Sequence, residues 1–140
     1  MNFVKFFLGL IAAAAVLVVA GTELIRARDR KVGQQRKAEG SDRNAFIAHF
    51  AASEVDPRIP AAVYDWFQHW QAVDFPARPE DNIADVYGIV GDDVDDMILD
   101  LAGICGCGAP SMRQVADLGL PVSTTEDLVN LLQALQKQLK

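Results

Sequence analysis

The densest group of ionisable side chains in the sequence is Asp92, Asp93, Asp95 and Asp96, four carboxylates within five residues. Such a group can hold a divalent cation, because hard ions take several carboxylate oxygens, or it can face the basic surface of a protein. The run lacks the alternating Asp/Asn spacing and the glycine of an EF-hand loop. The reading adopted is therefore an acidic docking face at Asp92, Asp93, Asp95 and Asp96, with no metal bound, and a merely solvated helix start as the competing reading. Cys105 and Cys107 are separated only by Gly106. A disulfide across one residue would be strained, and two thiolates without nearby His fall short of a tetrahedral metal site. Both are expected to be free thiols, one buried and one in a loop, in a reducing compartment.

His49 and His69 have no Ser or Cys spaced to suggest a triad, so neither is assigned a catalytic role. Trp66, Phe67 and Trp70 share a spacing with Val63 that makes them core by default, although they could also form an aromatic patch for lipid or ligand. The sequence contains no phosphate-binding glycine loop, no nucleophile elbow and no basic recognition helix. The expectation is a non-enzymatic chain with no cofactor and no nucleic-acid partner.

These residues are positioned by helices, judged by apolar recurrence at i, i+3, i+4 and i+7. Phe46, Ile47 and Phe50 predict a short helix ended by Pro57 and Pro60. Pro60 suits the first turn of the next helix, which carries Val63, Trp66, Phe67 and Trp70. Pro76 and Pro79 make a loop, and residues 82–90 read as either one helical turn or extended chain. Val94, Met97, Ile98, Leu101 and Ile104 form a stripe on a helix whose first turn holds the four aspartates, where the helix dipole favours negative charge. Met112, Val115 and Leu118 predict a short helix. Ser123 with Glu126 reads as a capping box for a last helix bearing Leu128, Leu131, Leu132, Leu135 and Leu139. No strand-type alternation is sustained, and the fold class expected is an all-α bundle.

The N-terminus differs from the rest. From Phe6 to Gly21 the chain reads FFLGLIAAAAVLVVAG and, with Phe3 and Val4, approaches the roughly 17–20 residues a helix needs to cross a bilayer. Lys5 can snorkel. Arg26, Arg28, Arg30, Lys31, Arg36 and Lys37 follow the apolar run, and the positive-inside rule places that side in the cytoplasm. The expected organisation is a transmembrane anchor over residues 1–25, a charged linker over 26–43 that is a tether or a frayed helix extension, and a helical domain over 44–140. A cleaved signal peptide ending near Val18-Val19-Ala20, with an exported periplasmic domain, is the competing reading.

The net charge of −6 conceals a split along the chain. Residues 1–37 hold seven Lys/Arg against two Asp/Glu, a net of +5, and residues 38–140 hold six against seventeen, a net of −11. An acidic domain repels nucleic acid and anionic lipid and suits partners with basic surfaces.

The order of elements from Ala61 to Leu139 resembles the acyl carrier protein fold. Its second-helix start is similar to GDDVDDMILDL (Gly91 to Leu101), and its fourth-helix start to PVSTTEDLVNLL (Pro121 to Leu132). In that resemblance Asp92 takes the place of the motif's Asp and Val94 that of its Leu. Asp93 stands where a carrier has the serine that receives phosphopantetheine, and a carboxylate cannot accept that group as a phosphodiester. What the resemblance implies is an acyl-carrier-like scaffold without the carrier reaction, akin to small bacterial carrier-like proteins that carry Asp there, using an acidic second helix to meet partners. The function expected is an inner-membrane-anchored adaptor that docks a basic cytoplasmic partner, such as a lipid-modifying enzyme or a subunit of a membrane complex. A genuine carrier modified at another residue is the alternative.

Overall fold

A computed structural model describes residues 2–70 and 73–139 of the chain. Among them are seven helices and no strand. Helix α1 (Asn2–Ala38) is rich in Ala, Leu, Val, Arg and Gln and free of Pro, so nothing interrupts it between the apolar half and the charged half. The 26–43 segment, read from sequence as a tether or a helix extension, is thus helical through Ala38. At 1.5 Å per residue α1 is roughly 55 Å long. It ends in a Schellman motif: Gly40, at φ 81°, lets Ser41 N–H reach Arg36 O at 2.8 Å and its own N–H reach Lys37 O at 3.0 Å.

The large apolar side chains of α1 from Phe3 to Ile25 cover nothing in the rest of the described chain. From Phe3 to Ile25 its large hydrophobic residues are 52–74 % exposed, and α1 is the one helix among the described residues long and apolar enough to cross a membrane.

The remaining helices form one bundle. α2 (Arg43–His49) starts at Asp42, whose side chain accepts from Ala45 N–H. α3 (Arg58–Trp70) and α4 (Ile83–Tyr87) follow, then α5 (Asp92–Ile104), α6 (Met112–Asp117) and α7 (Thr125–Gln138). α3, α5 and α7 pack on one another in a triangle and α2 lies on α3. Phe46, Ile59, Val63, Phe67, Met97, Leu101, Leu128, Leu131 and Leu132 are buried between them.

Three stripe residues depart from the sequence reading. Trp70 is 68 % exposed, Ile104 56 % and Leu139 62 %. Each lies at the last residue of its helix or one beyond, where the turn overhangs the bundle: periodicity states the face of a residue and says nothing of its depth. α2 ends at His49, before Pro57 and Pro60 are reached, and residues 82–90 contribute the single turn of α4.

The last helix is capped one residue later than the Ser123–Glu126 pairing predicts. Thr124 and Asp127 form the capping box, and Ser123 N–H is a further donor to Asp127 Oδ2 at 3.0 Å. The shift has a tertiary cause. Ser123 O accepts from Ile83 N–H at 2.9 Å beside an antiparallel bridge between Asn82 and Thr124, which keeps Thr124 extended as the cap position requires. Ser111 and Gln114 make a second capping box on α6.

Candidate functional site

The four aspartates do not all line one groove. α5 begins after Gly91, which supplies no side-chain cap, so the backbone N–H groups of its first turn are flanked by carboxylates instead. Asp92, Asp93 and Asp96 are exposed and Asp95 is half-buried. Among the described residues no basic side chain lies within ion-pair distance of any of them.

Helical spacing separates them. Asp93, Asp96 and Asp100 fall at i, i+3 and i+7 of α5 and line a groove of about 450 Å³ against Trp66 and Trp70 of α3, with Tyr87, Ile89 and Met97 at its floor. Asp92 and Asp95 are not part of its lining. Trp66 Nε1–H donates to Asp100 Oδ2 at 2.7 Å, which fixes the indole of Trp66, and the exposed indole of Trp70 stacks on it with centroids 6.4 Å apart and planes 13° from parallel. An aromatic wall opposite a row of carboxylates suits an organic cation, which gains both charge pairing and cation–π attraction. Sequence reasoning gave the carboxylates Asp93 and Asp96 and read Trp66 as core, which it is, but read Trp70 as core too and did not include Asp100. The signal for Asp100 was the i+7 spacing from Asp93.

No group of three or more His, Cys, Asp or Glu side chains converges as a metal site among the described residues. His49 Nε2 lies 3.2 Å from Glu126 Oε1, and His69 Nδ1 lies 2.8 Å from its own helix's Asp65 carbonyl oxygen. Cys107 is buried, with its thiol donating to Leu132 O at 3.5 Å, and Cys105 is half-buried; both are free. Burial, with the neighbouring Cys107, pushes the Cys105 thiol up to about 11, and burial raises Cys107 as well. The nucleophile is the thiolate. Alkylation of the native chain by iodoacetamide at pH 7.5 is therefore expected to run at least tenfold slower than that of a free cysteine, and to reach the free rate in denaturant. Free-cysteine rates without denaturant would contradict the burial.

The most heavily built polar centre lies elsewhere, where α1 meets the bundle. Asp81, 5 % exposed, accepts four hydrogen bonds on its carboxylate. Arg36 gives two of them in bidentate fashion, both at 2.7 Å; the backbone N–H of Arg78 gives one at 2.8 Å, and Tyr87 O–H one at 2.7 Å. Arg36 also donates to Pro76 O at 2.8 Å and stacks over the Phe75 ring at 4.8 Å. Burial alone would lower the pKa of Arg36, but its bonds to Asp81 outweigh that and hold it above the ordinary arginine value. Burial and the Asp81 carboxylate push the Tyr87 phenol up, so it remains a donor.

Two further contacts extend the junction along α1. Gly33 is buried against the Asp74 carbonyl, and Arg78 pairs with Glu39 and donates to Ser41 Oγ at 2.8 Å. The domain is thereby fixed to the end of α1 and the turn that follows it, over Gly33 to Ser41. Sequence reasoning passed over Asp81 and Tyr87 and took Arg36 only as one of the cations after the apolar run. One signal was legible: twelve of the seventeen residues 22–38 are good helix formers and none is Pro, which favours continuation of α1.

Comparison with protein-family models, with curated proteins and with solved structures gives no match for this chain.

Proposed function

We propose that this chain is a non-enzymatic adaptor of the inner (cytoplasmic) membrane, anchored by the apolar half of α1, which holds its acidic helical domain on the cytoplasmic side for a partner with a basic surface. One observation carries the reading. A helix of membrane-spanning length is clamped by a buried ion pair to a domain whose α5 carboxylates face solvent without cations of their own. A clamp in place of a slack tether sets the height and orientation of the acidic face, which is what a presenting scaffold requires. The acyl-carrier-like reading of the bundle fits the same role. Asp93 stands exposed at the first turn of α5, where the carrier's serine would be, and offers no hydroxyl for phosphopantetheine.

The test uses the full chain in neutral detergent micelles and a synthetic Lys/Arg-rich peptide, with the emission of Trp66 and Trp70 as reporter. The expected result is salt-sensitive binding. Replacing Asp92, Asp93, Asp95 and Asp96 together by Asn should weaken it more than tenfold while cooperative melting is retained. Equal affinity of the quadruple variant would remove the docking role. Intact mass of the chain from its native membrane separates the alternatives: added phosphopantetheine means a carrier modified at another residue, and truncation near residue 20 means an exported domain.

A further inference from the structure

We infer that the basic partner of the groove between α3 and α5 is a second copy of this chain, which inserts Arg28 and Lys31 of its own α1 beside Asp93 and Asp96. The inference rests on the acidic-docking reading above and names its partner.

The first observation is height. Gly33 packs on Asp74, and Gln68 donates to Phe75 O at 3.0 Å, so the end of α3 lies level with Gly33. Further from the apolar half of α1, Arg43 pairs with Asp65 at 2.8 Å. Lys37, Gly40, Ser41 and Asp42, which follow Gly33 in the chain, line one cavity with Tyr64 and Gln68, and Arg43 reaches Asp65. The later residues thus meet α3 at or before Gln68, and its Trp70 end lies on the side of Gly33 and the apolar half of α1. The pairing of Trp66 with Asp100, and of Trp70 with the lining that includes Asp93 and Asp96, sets α5 antiparallel to α3 and brings its acidic start to that same end. Lys31 and Arg28 sit only about 3 and 8 Å along the axis from Gly33. Groove and basic residues therefore share one layer above the apolar half of α1.

The second observation is direction. Asp29, Val32, Gly33 and Arg36 are the residues of this part of α1 that the domain covers. Helical spacing puts Lys31 on the far side, with Arg28 flanking it one turn earlier, and both are exposed. Arg26 and Arg30 are engaged by Glu23, whereas neither Arg28 nor Lys31 has an acidic partner among the described residues. A chain thus leaves these two cations exposed on the side of α1 that its own domain does not cover, where a neighbour at equal height can meet them.

The groove's lining holds carboxylates and no basic residue to take a phosphate, so an anionic phospholipid headgroup finds no partner there. Two cations one turn apart match two carboxylates at i and i+3, and the exposed Trp70 face adds cation–π attraction. Confinement to one membrane raises the effective concentration of the two surfaces. Because the groove and the basic face are different patches, the contact is heterologous and propagates into rings or rows rather than closing as a two-fold dimer.

The full chain in liposomes of zwitterionic lipid, treated with a carbodiimide, tests this. The expected result is a ladder beyond the dimer, with an amide between Lys31 of one copy and Asp93 or Asp96 of another, assigned by mixing isotope-labelled and unlabelled chains. D93K/D96K and R28E/K31E should each abolish the ladder alone, and their mixture should restore it, because each variant's groove then meets the other's complementary α1. Links only within one chain, or a ladder that survives either reversal, would overturn the inference. A wild-type chain that stays monomeric while the Lys/Arg peptide still binds would also overturn it, leaving the docking reading intact. Absence of both ladder and peptide binding would remove both.

Discussion

Asp81→Ala is expected to destabilise the domain by about 3–5 kcal/mol, because it leaves the Arg36 guanidinium buried without its counter-charge and strands two other donors. The side chains of Arg36 and Asp81 are only 13 % and 4 % exposed, so water cannot replace the lost carboxylate without opening the junction. Arg36→Met should cost less. It keeps an apolar stem against Phe75 and leaves the Asp81 carboxylate held by two neutral donors, Tyr87 O–H and the Arg78 N–H. In the double variant the two losses should fall short of additive, as for any pair in one network. Thermal melting of the full chain, followed by the emission of its two tryptophans, measures all three. A cost below about 1 kcal/mol for Asp81→Ala, the range of a surface ion pair, would mean that the junction is wet and loose.

Gly33→Leu should separate α1 from the domain without unfolding either. A Cβ at residue 33 would collide with the Asp74 carbonyl oxygen, and that obstacle is backbone rather than a yielding side chain. The helix must move away, taking Arg36 with it. Amide hydrogen exchange is the suitable readout, since local opening is reported residue by residue. Exchange is expected to rise at least tenfold over residues 29–38 and 73–77, while the amides around Leu101, Leu131 and Leu132 keep their protection. Those residues are fully buried in the core of the bundle. Unchanged exchange at 29–38 would show that the close approach can be relieved locally. Loss of protection throughout would show that docking is needed for the bundle itself.

How far the sequence carried the reading depends on the range of the interaction involved. Helical periodicity found the bundle, and the stripe Leu128, Leu131, Leu132, Leu135 is buried as spaced. The stripes ran one turn too far at Trp70, Ile104 and Leu139, because the end of the covering neighbour is not written in the helix's own pattern. The same limit moved the last cap from Ser123 to Thr124: both can cap, and a bridge to Asn82, some forty residues away in the chain, decided between them. Four acidic residues were equally acidic in sequence. Only the packing of α5 on α3 turned Asp93 and Asp96 toward Trp70 and left Asp92 and Asp95 outside the groove.

By itself the sequence determined what local chemistry determines: an apolar helix long enough to cross a membrane, a charge split between that helix and an acidic domain, and all-helical structure without sustained strand alternation. The tertiary structure alone decided that the charged segment is a clamp. Arg36 and Asp81 are 45 residues apart, each unremarkable among neighbours of its own kind, and their pairing exists only where α1 and the loop before α4 are brought together and water is excluded. Periodicity and composition act within a few turns of chain, whereas burial of an ion pair is a property of two surfaces, and so it appears only once those surfaces meet.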